Sequence, residues 1–149
     1  MRLTKIAHQH VQFIPEVLDY GILYISVPYK TALHKCACGC GQEVVTPLGP
    51  AEWSLRESGG NVTLYPSIGN WSFPCESHYF IRDSNIVWVG KMSKAEISRG
   101  RSRAQARREN YLQAANEERK KGRSDAREAI PLSIFGRLTK YLRNLWNGS

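Results

Sequence analysis

Two hydrophobic patterns divide the chain near residues 90–93. From Val11 to Gly90, short runs rich in β-branched and aromatic residues alternate with turn residues, which predicts short strands. The runs cover residues 11–14, 21–27, 43–45, 62–65, 78–81 and 85–89. Gly, Asn, Asp and Ser favour tight turns, so we expect hairpin loops at 57–61 and 82–85. Five or six strands in one compact antiparallel sheet is the resulting expectation.

The remaining chain has the Ala, Arg, Glu, Lys and Gln content of a helix. Ser93 and Glu96 have the spacing of a capping box, so the helix is expected to begin there. Gly100, Gly122 and Pro131 predict interruptions and hence two or three helical pieces. Apolar residues recur at helical spacing within 132–146, beside Arg and Lys, which predicts a terminal amphipathic helix.

These patterns predict an α+β protein: a small antiparallel β domain over residues 1–92 and a basic helical extension over 93–149. Charge follows the same division, because residues 1–90 contain six basic and seven acidic side chains, whereas 91–149 contain fifteen and six. A length of 149 residues excludes a large multidomain enzyme. The sequence contains no transmembrane-length apolar run and no signal-peptide pattern at its start, so we expect a soluble, cytoplasmic protein.

Cysteine and histidine form the strongest motif, in the segments HKCACGCG and CESH. Its members are His34, Cys36, Cys38, Cys40, Cys75 and His78. In a reducing compartment, clustered cysteines favour zinc over disulfides, and a zinc site takes four ligands. Two partitions are therefore open. Either Cys75 and His78 join two upstream cysteines, or all four cysteines hold a structural zinc ion and both histidines stay free; we favour the second, because it leaves no thiol exposed.

The segment YPSIGNWSFPCESH is unusually polar for a connection between strands. One interpretation is an acyl-transfer site with Ser67 as nucleophile, His78 or alternatively His34 as base, and Asn70 as an orienting or oxyanion group. The other is a tight turn in which Ser67 and Asn70 cap backbone groups and His78 is a metal ligand. The residues alone leave both open, and no Asp or Glu stands out as a third catalytic member.

The motifs FIPE, GILYIS, HKCACGCG, VVTPLGPAEW, VTLYPSIGNW, CESHYFI and IVWVG resemble a family of small bacterial zinc-binding domains, over roughly residues 11–92. Members are often encoded beside ubiquitin-like proteins and their activating and conjugating enzymes. The resemblance implies partners from such a pathway, with Ser67 and His78 as the reactive pair. It implies a zinc set formed by Cys36, Cys38, Cys40 and Cys75. Phe80 departs from the family pattern, which has Trp after SHY.

Three hypotheses of function follow. The first is a zinc-stabilised serine peptidase that processes or deconjugates a bacterial ubiquitin-like protein. The second is a non-catalytic zinc-binding adaptor of the same pathway, with His78 as a ligand. The third is a nucleic-acid-binding zinc protein, which the basic tail suggests but its interspersed glutamates and few aromatic residues disfavour. A homo-oligomer through the C-terminal helices is a further expectation.

Overall fold

The computed structural model describes residues 1–128, with side chains as far as residue 124. Its strands are β1 Ala7–His10, β2 Ile22–Ser26, β3 Thr31–Lys35, β4 Glu43–Pro47, β5 Ser54–Ser58, β6 Asn61–Gly69, β7 His78–Arg82 and β8 Asn85–Trp88, followed by helix α1 Lys94–Glu128. They form two four-stranded sheets, in the orders β1-β2-β3-β4 and β5-β6-β7-β8. The α+β class is confirmed, whereas the expectation of a single sheet was wrong.

The first strand lies earlier in the chain than the predicted 11–14, and it pairs with β2 in parallel. Backbone hydrogen bonds hold the segment before it against the β7–β8 hairpin, from Ile6 N to Ser84 O at 2.9 Å and from Ile86 N to Thr4 O at 2.8 Å. Parallel pairing needs no local turn, so the sequence carries no hairpin signal for it. The pattern also missed β3, which buries a histidine, and β5, which has a single apolar residue.

Both predicted hairpin loops are confirmed. Gly59 and Gly60 join β5 to β6 with φ of 55° and 75°, and Asp83 and Ser84 join β7 to β8 with φ of 47° and 60°. Two successive left-handed residues match the twist of paired strands. The antiparallel pairs β5–β6, β6–β7 and β7–β8 follow from these turns and from the β6–β7 loop.

Side chains from both sheets form the hydrophobic core. Leu23 and Ile25 of β2 cluster with Leu64 of β6 and with Tyr79 and Ile81 of β7, and each is at most 1 % exposed. Burying aliphatic side chains at this level stabilises the fold by about 2 kcal/mol each. The core therefore fixes how the loops of the two sheets lie relative to each other.

Helix α1 begins as the capping box predicts. Glu96 N donates to Ser93 Oγ at 3.3 Å, and Ser93 N donates to the Glu96 carboxylate at 2.8 Å. The predicted interruptions at Gly100 and Gly122 were wrong, because the helix continues through both. A glycine inside a helix costs only about 1 kcal/mol, which the surrounding good helix formers offset.

The compact unit that contains both sheets extends from Met1 to Arg108, and the described residues from Glu109 onward belong to a second unit. The division predicted after residue 92 stays a prediction, and the predicted amphipathic segment 132–146 lies outside the described residues. Within the described range, no helix has the length and apolar character needed to cross a membrane.

Candidate active site and metal centre

Two loops bring the four cysteines together. Cys36, Cys38 and Cys40 lie in the loop between β3 and β4, and Cys75 lies in the loop between β6 and β7. The first loop closes through a hydrogen bond from Cys36 N to Gln42 O at 2.7 Å. Its turn requires glycine at position 39, which has φ of 85°, and whose Cβ would lie 2.9 Å from the Met1 carbonyl oxygen. The cluster therefore joins one sheet to the other.

The sulfur positions fit a tetrahedral metal site. Cys36 Sγ lies 3.4 Å from Cys38 Sγ and 3.9 Å from Cys75 Sγ, and Cys40 Sγ lies 3.7 Å from Cys75 Sγ. Four thiolates at about 2.3 Å from one ion would lie about 3.8 Å apart. All four sulfur atoms are within 4.8 Å of one another, so these cysteines can hold a metal ion.

The surroundings shift the pKa values of these thiols in different directions. Burial opposes ionisation of Cys75, but hydrogen bonds to Ser77 and to the neighbouring thiols outweigh burial and lower the pKa of Cys75 to about 7. Burial raises the pKa of Cys38 and of Cys40 above the usual range of a thiol. A metal ion offsets this penalty, because thiolate rather than thiol is the metal ligand. The donor set and the spacing show that the four cysteines could hold a metal ion without either histidine, whereas Cys40 itself is exposed.

Asn70 and Ser77 surround the cluster with hydrogen bonds. The amide Nδ2 of Asn70 donates to Ser77 Oγ at 2.9 Å and to Cys36 Sγ at 3.5 Å. Ser77 Oγ lies 3.1 Å from the same sulfur atom. Hydrogen bonds of this kind orient metal ligands and stabilise thiolate charge. The structure thus places Asn70 beside the cysteines and not in hydrogen-bonding contact with Ser67.

Ser67 and His78 form a hydrogen-bonded pair: Nε2 of His78 lies 3.0 Å from Oγ of Ser67. Ser67 follows Pro66 on β6, where the register between Leu64 and Ile68 shifts against β7. Such a bulge redirects a side chain. It also accommodates Pro66, because a bulged residue does not need an N–H group for the hydrogen bonds between strands. His78 is the first residue of β7, directly opposite Gly69.

Trp71 holds the imidazole of His78 in place. The two rings meet edge to face with centroids 4.9 Å apart. This packing requires glycine at position 69, because a Cβ there would lie 2.5 Å from the indole of Trp71. Phe80 also lies near His78, at 6.3 Å between ring centroids. His78 therefore has an aromatic neighbour at this position even though Phe replaces the Trp of the family pattern.

The imidazole of His78 is 9 % exposed, and its Nδ1 has no hydrogen-bond partner among the described residues. Burial lowers the pKa of His78 below its usual value, and the backbone of Gly90 partly offsets the shift. The ring is therefore neutral at pH 7, and Nε2 is able to accept the proton of Ser67. Among residues 1–128, no carboxylate bonds to Nδ1 of His78: Glu76 is exposed, and the Asp83 carboxylate accepts a hydrogen bond from Thr63.

His34 lies elsewhere, in the core. It is fully buried, and its Nε2 lies 2.8 Å from the hydroxyl oxygen of Tyr79. Burial lowers the pKa of His34 to about 4, so this imidazole is also neutral. The structure does not bring His34 into contact with Ser67.

Ser67 and His78 line a cleft of about 370 Å³. Its lining includes the aromatic residues Trp53 and Trp71, and it includes Met92 together with residues of α1 between Glu96 and Arg108. Contacts with the β4–β5 loop hold this helix segment: Arg107 Nε donates to Ala51 O at 3.0 Å, and Arg108 Nη2 donates to the Glu52 carboxylate at 2.6 Å. Sequence reasoning missed the helix as a wall of the site, because no local motif marks it.

Comparison with known proteins agrees with this geometry. A family model described as "Bacterial ubiquitination-like system serine protease (BubE)" matches residues 10–89, more than half of the chain. No match was found among curated proteins or among solved structures. The matched range contains the four cysteines, Ser67 and His78, and it ends before α1. The chain therefore belongs to the BubE family, the serine proteases of bacterial ubiquitination-like systems.

Proposed function

We propose that the chain is a zinc-stabilised serine peptidase that processes or deconjugates a bacterial ubiquitin-like protein. The observation that carries the proposal is the 3.0 Å contact between Ser67 Oγ and His78 Nε2 in the wall of a cleft. The proximity of the four cysteines, which could hold a metal ion without His78, supports the proposal. The adaptor hypothesis, in contrast, needs His78 as a ligand.

The reaction is acyl transfer through Ser67. Oγ attacks the scissile carbonyl carbon while its proton passes to Nε2 of His78, and the resulting imidazolium then protonates the departing amine. Water attacks the acyl-enzyme in the second half, giving a proton to His78, which returns it to Ser67 as the carboxylate product leaves. A neutral His78 in the resting protein is what this sequence of proton transfers requires.

Zinc has a structural part in this proposal. Cys36, Cys38, Cys40 and Cys75 would hold it, and an ion with four thiolate ligands supplies a cross-link between the two loops. Cys75 and His78 lie three residues apart, so fixing the β6–β7 loop also fixes the start of β7. In this proposal, the metal-binding loop positions the imidazole of His78.

The shape and charge of the cleft suggest which part of a substrate enters it. An extended peptide segment, such as the C-terminal tail of a ubiquitin-like protein, fits between a sheet and a helix better than a folded domain does. Arg101 and Arg103 on the helix side give that wall positive charge. Opposite charge attracts acidic side chains near the scissile bond and raises the rate of association. We therefore propose a preference for acidic flanking residues.

The deciding experiment combines covalent labelling with a cleavage assay. A fluorophosphonate probe should label Ser67 of the zinc-loaded protein, as peptide mass spectrometry would show, and the protein should cleave a ubiquitin-like precursor. Ser67→Ala should lose labelling and reduce turnover by at least about 10³-fold, as removal of a nucleophile does. His78→Ala should do the same while keeping its full zinc content.

Ser102→Ala is a matched control, because Ser102 is exposed on α1 outside the cleft lining. It should keep wild-type labelling and turnover. A folded Ser67→Ala protein with undiminished cleavage would refute the proposal. Loss of zinc from His78→Ala would show that His78 is a metal ligand and would favour the adaptor hypothesis.

A further inference from the structure

A second cluster of metal-ligating side chains lies outside the site described above. His8 and His10 alternate on β1, so both project from the same face of this strand, and Glu57 lies on β5. Within the described residues, the ligand atoms of these three side chains lie within 4.8 Å of one another. β1 is at the edge of the first sheet and β5 at the edge of the second.

The distances are close to those of a metal site. Nε2 of His10 lies 3.0 Å and 3.1 Å from the two carboxylate oxygens of Glu57, and Nε2 of His8 lies 3.8 Å from one of them. Nitrogen and oxygen ligands about 2.1 Å from a tetrahedral or octahedral ion lie about 3.0–3.4 Å apart. Small side-chain rotations would therefore place all three donors around one ion.

A simple ion pair explains only part of this arrangement. One hydrogen bond satisfies His10 and Glu57 but leaves Nε2 of His8 directed at the same carboxylate, beyond hydrogen-bonding distance. The two imidazole rings meet edge to face at 6.0 Å, and the Nε2 atom of each lies within 4 Å of a Glu57 oxygen. An ion would use all three donors at once. The side chains are 20 %, 47 % and 41 % exposed, so an ion from solution reaches them.

We infer that His8, His10 and Glu57 bind a divalent transition-metal ion that joins the edges of the two sheets. Two imidazoles and a carboxylate suit Zn²⁺, and three protein ligands leave a position for water. The site is independent of the peptidase proposal, because it contains neither the cysteines nor Ser67 or His78. Its affinity should be weaker than that of the thiolate cluster, since it has fewer and exposed ligands.

The test is to count zinc in the full chain. Protein equilibrated with Zn²⁺ at neutral pH should contain one zinc ion more in the wild type than in His10→Ala or in Glu57→Gln, as equilibrium dialysis with elemental analysis would measure. Excess zinc should raise the melting temperature of the wild type above that of the protein with zinc at the four cysteines only. This increase in melting temperature should be absent from both variants. The difference in zinc content between the wild type and the variants tests the inference, whatever the cysteine cluster binds.

Gln9→Ala is the matched control, because Gln9 lies between the two histidines on the same strand and is exposed. It should keep the additional zinc ion. Equal zinc content in the wild type and in both ligand variants would overturn the inference, as would loss of the additional ion from Gln9→Ala. The three substituted residues, Gln9, His10 and Glu57, are exposed, so we expect each variant to fold. Melting curves recorded without metal verify this.

Discussion

Ser77 and His78 are neighbours in the chain, yet they face different sites. Ser77 Oγ lies 3.1 Å from the sulfur of Cys36, and His78 Nε2 lies 3.0 Å from Ser67 Oγ. Successive residues of an extended chain point to opposite sides, so one peptide unit joins the metal centre to the reactive pair. The cysteine cluster and the cleft are therefore coupled through the start of β7.

This coupling predicts that loss of the metal reduces both stability and activity. Cys75→Ser should lose the metal, lower the free energy of unfolding by about 4 kcal/mol at saturating zinc, and reduce cleavage. Ser67→Ala should keep both the metal and the stability. Elemental analysis and thermal melting measure these effects. A Cys75→Ser protein with full zinc content and unchanged melting would contradict the assignment of this ligand.

Asn70 is predicted to act on the metal ligands rather than on the substrate. Asn70→Ala removes the donor to Ser77 and Cys36, so metal affinity should fall by about 10- to 100-fold. Turnover of the variant should be close to wild type once it is fully loaded with zinc. Competition with a zinc chelator and a cleavage assay measure the two quantities. If turnover instead falls by about 10²–10³-fold with zinc affinity intact, Asn70 is an oxyanion donor.

The pH dependence should report the burial of His78. Only the neutral imidazole accepts a proton, so kcat/KM should rise with pH and then level off. Burial lowers the pKa of His78, so the midpoint of this rise should lie below pH 6.5 in the free enzyme. Trp71→Ala should expose the ring and move the midpoint upward. A wild-type midpoint above 6.5 would contradict this account.

Gly69 and Trp71 are predicted to depend on each other. Gly69→Ala places a Cβ against the indole, so we expect about 1–3 kcal/mol of destabilisation and a fall in turnover as His78 shifts. In the double variant with Trp71→Ala, the added destabilisation from Gly69→Ala should largely disappear. Denaturant unfolding of the four proteins gives this coupling energy. Strictly additive effects would indicate that the two residues do not share one packing constraint.

The helix wall predicts charge selectivity. Exchanging Arg101 and Arg103 for Glu should lower kcat/KM about tenfold on a substrate with acidic flanking residues, and it should remove the dependence on salt. Arg99→Glu, on the same helix but outside the cleft lining, should have a much smaller effect. Steady-state assays at 50 mM and 300 mM salt measure both. The double exchange changes the net charge twice as much as Arg99→Glu does. Losses of kcat/KM in that same proportion, on a logarithmic scale, would show that only net charge matters.

Local sequence signals predicted the elements that local physics controls. Paired left-handed residues at 59–60 and 83–84 set two hairpins, and the Ser93–Glu96 box begins the helix. The position of β1 was not predictable in this way, because its hydrogen bonds join it to β2 and the residues before it to β7–β8. The prediction of interruptions at the glycines of α1 was wrong, since their modest cost is outweighed by the good helix formers that occupy most of positions 101–121 between them.

The sequence by itself determined the chemistry that is available: four thiols, a histidine near each cysteine group, a serine in a short polar segment, and a separate basic extension. Tertiary structure decided which histidine meets which partner, because His34 and His78 differ in their neighbours and not in their residue type. It also decided that part of the extension forms a wall of the cleft and that His8 and His10 meet Glu57. Contacts between residues far apart in the chain depend on packing of the two sheets, which no local pattern encodes.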